Sequence, residues 1–418
     1  MFREEHCGIL IAGAGPAGIA AACAAAESAP SVAVLDDNIA PGGQIWRAKE
    51  NRWTAQLRRA RVRVFSGTQA VASPGPNTIL AEQNGEPLIF HFEKLILATG
   101  ARELYLPFPG WTLAGVTGAG GLQALAQSGL PVEGKRVVIA GSGPLLLAVA
   151  AHLRARGAIV DAIAEQAPRE RLLRFAAELW RTPAKIAQAA GLQWALRGVP
   201  RFTDAWPIAA NGDRRVTSVT LHTPKGTRRF NCDYLACGFG LVANVELPAL
   251  LGCELRAGLV AVDAWQRTSA GNIFCAGEPT GIGGVDRSLV EGRIAGYAAA
   301  GRHRHAQRLF AARRRLHAFS SALERAFALR DELRTLAGAH TIVCRCEDVT
   351  LEKAAAQAGP RAARLHARCG MGACQGRICG PALEFVLGRA GASGHARPPV
   401  FPVAMATLAA CREEETNA

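Results

Sequence analysis

The sequence predicts an α/β protein with two Rossmann-like dinucleotide-binding units and a small, helical, cysteine-rich module near its C-terminal end. Three observations lead there. A pattern of apolar strand, glycine turn, helix and second strand begins at Cys7, the same pattern recurs at Lys135, and five cysteines crowd between Cys344 and Cys379. A chain of 418 residues has room for roughly two to four domains.

The first unit reads CGILIAGAGPAGIAAACAAAES and then SVAVLDD; the second reads KRVVIAGSGPLLLAVAAHLRARGAIVDAIAE. Between them LILATGARE (Leu95 to Glu103) is an apolar strand ending in Thr-Gly, followed by a Pro- and Gly-rich passage. Strands are expected near Val216 to His222 and Tyr234 to Cys237. GNIFCAGEPTGIGGVDRSLVEGRIAGYAAA then predicts strand, glycine turn and helix. From Arg302 to about Leu336 the pattern is helical and strongly charged, as suits a connector to the cysteine module.

Bulk properties narrow the function. Lys and Arg number 48 against 34 Asp and Glu, but the excess is spread along the chain with no nucleic-acid motif, so no nucleic-acid partner is expected. The densest basic stretch, Arg302 to His317, reads as a solvated helix face. MFREE lacks the basic start of a secretory signal, and the longest apolar runs, such as Pro144 to Ala151, fall short of the ~20 residues of a membrane span. A cytoplasmic, soluble protein is expected. There, structural disulfides are disfavoured, and twelve cysteines call for another reading. Cys7, Cys23, Cys232, Cys237, Cys253 and Cys275 sit mostly in apolar segments and are predicted to be small buried hydrophobes.

The first glycine motif, Gly13-x-Gly15-x-x-Gly18 with Pro16 and Ala17 between, follows a strand and opens a helix. Its glycines allow the tight turn, close approach of a pyrophosphate and close helix packing, and the helix N-terminus favours the phosphates. Asp36 ends the next strand, where a carboxylate can accept ribose hydroxyls. The second motif, Gly141-x-Gly143, has Leu146 where the third glycine belongs, with Glu165 ending the following strand as a candidate ribose ligand. Two readings of this motif stand open: an NAD(P) site, or a retained fold without hydride chemistry.

Within the module, Cys344 and Cys346 form a Cys-x-Cys pair and Cys374 and Cys379 supply two more thiolates. Four thiolates can hold a [2Fe–2S] cluster. Structural zinc also takes four cysteines but favours Cys-x₂₋₄-Cys pairs, so the cluster is the expectation. Cys369 is an extra thiol in the loop, and Cys411 follows behind. No catalytic acid, base or nucleophile is predicted: His6, His152, His222, His303, His305 and His317 carry no triad or metal spacing.

GAGPAG, PGGQIWR, LATGARE and CAGEPTGIGG together resemble the FAD-binding elements of the two-dinucleotide-domain flavoproteins related to thioredoxin reductase. That resemblance implies two interleaved domains: an FAD-binding domain over 1–120 and 241–301, a second nucleotide domain over 121–240, a helical connector over 302–339 and the cluster module over 340–412. It puts Gly43, Gln44 and Arg47 near the flavin and Thr99 and Gly100 near the adenylate. It makes Gly277 and Glu278 the motif whose carboxylate holds the ribityl chain, with Glu where the family usually has Asp, and aims the helix beginning near Val285 at the flavin. Unlike thioredoxin reductase, the second nucleotide domain has no Cys-x-x-Cys dithiol, so electrons must leave another way.

The module is similar to bacterioferritin-associated-ferredoxin-like [2Fe–2S] domains. With ATGARELYLPFPGWTLAGVTGAGGLQ, GSGPLLLAVAAHL, AGEPTGIGGVD, CRCEDVT and GMGACQGRICG, nearly the whole chain resembles the A or alpha subunits of opine oxidases and of D-hydroxyproline and proline dehydrogenases, and the B subunit of hydrogen cyanide synthase. The segment after Arg47 is short for that family.

The resemblance implies an FAD-dependent oxidoreductase acting on CH–NH donors as one subunit of a hetero-oligomer. In it a flavin-containing beta subunit oxidises the substrate and this chain accepts the electrons and carries the cluster. Some family members place FMN at a subunit interface, and a small ferredoxin-like subunit is a further expected partner. Two other readings are a self-sufficient NAD(P)H-dependent FAD/[2Fe–2S] reductase and a non-enzymatic iron–sulfur docking scaffold; the scaffold leaves the flavin-type motifs unexplained.

Overall fold

The computed structural model describes residues 3–47, 49–389 and 396–409. The chain forms two compact units. The first is built from the described parts of Met1–Arg102, Ala243–Ser320 and Ser393–Ala418, the second from Glu103–Val242 and Ser321–Ala392.

In the first unit the strand Arg3–Ala12 pairs in parallel with Val32–Asp36 on one side and Glu86–Leu97 on the other. Val62–Ser66 adds beyond Val32–Asp36, and Ile273–Cys275 adds beside the second half of Glu86–Leu97, all parallel. The first half of Glu86–Leu97 instead continues into an antiparallel meander with Thr78–Gln83 and Thr68–Ala72. The second half of Arg3–Ala12, Val32–Asp36 and Ile273–Cys275 are buried on both faces, which is why they are near-continuous apolar runs. Leu10, Ile11, Leu95 and Ile96 are fully buried.

Close helix packing needs absent side chains. The helices Pro16–Ala26 and Gly284–Ala299 meet where a Cβ on Gly292 would stand 2.1 Å from the Ala17 carbonyl oxygen and one on Gly296 2.3 Å from that of Ala21. The tail also belongs to this unit: the Val400 N–H donates to the Val71 carbonyl, and the Ala404 N–H and Thr407 hydroxyl both reach Glu82.

The second unit repeats the plan. Arg201–Thr203, Ile159–Glu165, Arg136–Gly141, Tyr234–Gly238 and Val116–Gly118 form a parallel sheet, and Trp206–Asn211, Ser218–Thr223 and Gly226–Asn231 form an antiparallel one. The cysteine module packs onto this unit. Trp111 donates its indole N–H to the Ile342 carbonyl at 2.6 Å while Arg345 lies over the Trp111 ring, and Arg334 covers the Phe385 ring and donates to its carbonyl. The span 340–412 is therefore divided, its described residues up to Arg389 going with the second unit and 396–409 with the first.

The six scattered cysteines are all buried, as predicted. Burial pushes the Cys7 and Cys23 thiols up to about 11 and that of Cys232 up to about 12, so they stay protonated and inert. Among the described residues no helix is long and apolar enough to cross a membrane.

Candidate functional site

The first glycine turn has the form that a dinucleotide pyrophosphate requires. Gly13 has φ +108, and a Cβ there would lie 2.3 Å from the Ala98 carbonyl oxygen; one on Gly18 would lie 1.8 Å from that of Gly13. The strand and helix therefore approach to backbone contact. The helix Pro16–Ala26 begins with Gly15 as its N-cap, no side chain caps it and no acid lies in its first turn. Its positive end and free N–H groups are open to an anion. Gly43 closes over the turn, since its Cβ would be 2.8 Å from the Gly15 Cα, and the Gly42 N–H donates to the Ala14 carbonyl. Gln44 and Arg47 are hydrogen-bonded to each other at the exposed end of this segment.

Asp36 is buried, and its carboxylate accepts the N–H of Ala14, inside the turn, as well as the N–H and amide of Asn38. It stiffens the turn. Thr99 and Gly100 form a small hydrogen-bonded clasp with Asn244, a residue that sequence reasoning passed over. The Thr99 hydroxyl donates to the Asn244 carbonyl at 2.6 Å, the Asn244 amide donates back to Thr99 at 2.9 Å, and the Asn244 N–H reaches the Gly100 carbonyl.

At Gly277 a positive φ of 83° brings the chain so close to the first helix that a Cβ would be 2.8 Å from that of Ala17. Glu278 accepts the N–H groups of Gly283 and Gly284 at 3.1 and 2.9 Å. Both carboxylate oxygens thus sit on the start of the Gly284–Ala299 helix, so the longer side chain offsets part of the helix's positive end. Burial raises the Glu278 carboxyl, opposed by those two N–H groups.

Beneath this loop lies a carboxylate that the sequence reading missed. Glu291 is fully buried and accepts from Arg287 Nε at 2.8 Å, the Thr280 hydroxyl at 2.9 Å and the Gly277 N–H at 3.1 Å, with His317 Nε2 at 3.2 Å and Arg313 at 3.6 Å. Burial pushes its carboxyl up, but His317 and the two arginines outweigh it and hold it below the usual range. Arg313 therefore leaves the solvated face assigned to the Arg302–His317 stretch, and His317 turns one edge inward from it. A usable signal existed: Arg287 and Glu291 stand four apart on one helix, a pairing spacing in an otherwise apolar run.

The second glycine turn is built differently. A Cβ on Gly141 would lie 1.9 Å from the Gly238 carbonyl oxygen, so strand contact is kept, but Leu146 turns inward and is buried. Glu165 uses both carboxylate oxygens within its own loop, accepting from Gly143 at 2.7 Å and Ala167 at 2.9 Å. Burial pushes its carboxyl up to about 7 against those N–H groups. The Ser142 hydroxyl donates to the Phe327 carbonyl at 2.9 Å, and the Gln166 amide reaches Ser142 and the carbonyls of Phe327 and Ala328. The negative C-terminal end of the Phe310–Phe327 helix therefore rests on this turn.

In the module, Cys344, Cys369 and Cys379 are buried, with sulfurs all within 4.8 Å of one another. Metal–thiolate bonds of ~2.3 Å let two sulfurs on one metal stand up to ~4.6 Å apart, so this spacing fits shared metal coordination. Cys346, exposed, accepts the Cys374 N–H and lies beside the Cys374 thiol. The predicted four thus fall into an inner pair, Cys344 and Cys379, and an outer pair, Cys346 and Cys374, with Cys369 against the inner one.

Hydrogen bonds from the Cys369 and Cys379 thiols, then the N–H groups of Gly370 and Glu347, hold Cys344 down at about 2, while donating to Cys344 pushes Cys369 up to about 12. Glycines make the room: a Cβ on Gly372 would be 2.2 Å from that of Cys346, and one on Gly370 3.3 Å from the Gly376 Cα. Thiolate donors, backbone N–H groups and a glycine-lined hollow fit a [2Fe–2S] cluster. Cys411 lies outside the described residues.

Two glycine-turn βαβ units, each opening a parallel sheet, define a two-domain dinucleotide-binding oxidoreductase. Residues 8–303 match the pyridine nucleotide-disulphide oxidoreductase family. The opine oxidase A chain of Rhizobium meliloti is 30% identical over 97% of this chain and 88% of its own length. The HcnB component of the hydrogen cyanide synthase of Pseudomonas aeruginosa is 30% identical over 88% of this chain and 90% of its own length. The crystal structure of L-proline dehydrogenase from P. horikoshii shares the fold, with a TM-score of 0.68 and 16% identity over 98% of this chain and 80% of that one. The chain belongs to the pyridine nucleotide-disulphide oxidoreductases and, among them, to the family that holds the A-type subunits of opine oxidases.

Proposed function

We propose that this chain is the electron-transfer subunit of a flavin-dependent amine, imino-acid or opine dehydrogenase complex. It takes electrons from a partner flavoprotein subunit that oxidises the CH–NH bond. The observation that carries this reading is the second glycine turn. A buried Leu146 stands where the third glycine belongs and the turn is met by the Phe327 and Ala328 carbonyls, so an electron supply from NAD(P)H through that turn is disfavoured and an outside donor is needed. The relatives are themselves named as subunits.

In this reading the N–H groups at Gly15–Gly18 bind the pyrophosphate of FAD, Asp36 stiffens the turn beside the ribose, and Gly43, Gln44, Arg47, Thr99, Gly100 and Gly277 shape the walls. Glu278 moderates the helix end that faces the flavin. Cys344, Cys346, Cys374 and Cys379 hold the cluster. Bound there, a flavin exchanges electrons in pairs or singly and a [2Fe–2S] cluster carries one at a time.

A docking surface for the partner is at hand on the segment between Ile159–Glu165 and Arg201–Thr203. Leu173, Trp180, Ile186 and Trp194 are 59%, 69%, 45% and 72% exposed there, on a segment that also carries Arg169, Arg171, Arg174 and Lys185. Exposed tryptophan and arginine are the residue types that anchor interfaces. Trp180→Asp combined with Trp194→Asp is expected to weaken association by more than about 30-fold, since a buried interface anchor carries ~2 kcal/mol or more. Titration calorimetry against the partner flavoprotein measures this; unchanged affinity places the interface elsewhere.

The central test is anaerobic purification of the full chain, with visible spectrum, iron and acid-labile sulfide analysis, and titration with NADH and NADPH. Flavin and cluster absorbance that the nicotinamides leave unbleached, then reduction on adding the partner with an amine, imino acid or opine, is the expected result. Stoichiometric bleaching by NADH or NADPH establishes the self-sufficient reductase instead. Zinc without iron and sulfide removes the cluster, and a chain without flavin leaves the docking scaffold.

A further inference from the structure

Five thiols surround a centre that needs four, and the surplus is on one side only. Cys369 follows the helix Pro360–Ala367 and is 4% exposed, as hidden as Cys344 at 1% and Cys379 at 3%. Its sulfur lies in the same group within 4.8 Å as theirs, whereas the outer pair has no third cysteine beside it among the described residues.

Cys344 ends the short strand Ile342–Cys344 and is fixed by it. Cys369 and Cys379 are placed by a turn and a helix start instead. Cys369 sits between a left-handed Arg368 and Gly370 at φ +82°, and Cys379 begins the helix Cys379–Leu387. A cavity of about 40 Å³ is bordered by Cys369, Gly370, Gly376 and Cys379.

We propose that Cys369 is a reserve ligand of the cluster, able to replace Cys379 at the buried iron. The chain then has two ligand sets: Cys344, Cys346, Cys374 and Cys379, or the same first three with Cys369. The exchange is a ligand substitution without redox change. The Cys369 sulfur forms the bond to iron and gives up its proton, the bond from Cys379 to iron breaks, and the departing thiolate takes a proton up.

This inference rests on the cluster reading above, and the test separates the two. Full-length wild type, C369A, C379A, C374A and the C369A/C379A double variant are reconstituted anaerobically with iron and sulfide. Iron and sulfide per chain, visible circular dichroism and the electron paramagnetic resonance of the reduced protein are read. Far-ultraviolet dichroism and flavin content monitor folding. Wild type and C369A are expected to carry equal iron. C379A is expected to keep at least about half of it with altered dichroism and g-values, because one thiolate has been exchanged. C374A and the double variant are expected to lose more than about tenfold, since even the loss of a group that only supports a ligand costs about 10- to 100-fold in metal affinity.

A folded C379A as empty as the double variant overturns the proposal, as does a C369A that cannot hold iron or a C374A that retains it. Wild type without iron and sulfide overturns the cluster itself.

Discussion

Gly18→Ala is expected to yield a chain without bound dinucleotide and destabilised by about 3 kcal/mol or more, the upper range for overpacking a tight contact. The new methyl group would stand 1.8 Å from the Gly13 carbonyl oxygen and 2.9 Å from its carbon. Neither neighbour can yield as a flexible side chain would. The Gly13 N–H is held by the Leu35 carbonyl at 2.8 Å, and Gly13 already lies against the Ala98 backbone. Relief requires the helix Pro16–Ala26 to lift from the sheet, which carries its N–H groups away from the pyrophosphate position. The ratio of flavin to protein absorbance after purification reads the first effect and the urea midpoint the second. Gly191→Ala, in a helix with nothing within 4 Å of the added atom, is the control and is expected to stabilise by up to ~1 kcal/mol. A Gly18→Ala protein with normal flavin content would show that the turn is not the binding site.

Glu291→Gln is expected to cost about 3–5 kcal/mol at pH 7, the scale for breaking a buried ion pair. The amide keeps the shape but loses the charge, leaving Arg287, itself buried, without its counter-ion. One remaining acceptor oxygen cannot serve the Gly277 N–H, the Thr280 hydroxyl and two cationic side chains. The pH dependence has a definite sign. The folded carboxyl is held below its ordinary value of 4.5, so its contribution is fully present above that pH and is lost as pH falls through the lowered value. The gap between wild type and variant in urea denaturation should therefore be full at neutral pH and close under acid conditions. A gap that is small at pH 7, or that grows towards acid, contradicts the assignment.

Several elements were legible without coordinates because their information is local. Strand, glycine turn and helix at Cys7 and Lys135 follow from apolar periodicity interrupted by residues that tolerate positive φ, and both units form as expected. The crowding of cysteines after Cys344 was equally plain. The roles of Glu291, Asn244, Arg313 and His317 were not. Each depends on a partner brought near by sheet register or helix packing, such as Asn244, 145 positions from the Thr99 it clasps.

The two glycine motifs illustrate the division most directly. Sequence alone determined that this chain builds two dinucleotide-type folds and gathers enough thiolates for a cluster, because glycine spacing, strand pattern and cysteine count are properties of short segments. Only the tertiary structure decided that the first turn presents an open, positive helix end while the second carries the carbonyls of Phe327 and Ala328, and that Cys369 joins Cys344 and Cys379 at the buried side of the cysteine site. The physical reason is the same in each case. Hydrogen bonding and metal coordination depend on distances of a few ångströms between groups that lie far apart along the chain, and packing alone sets those distances.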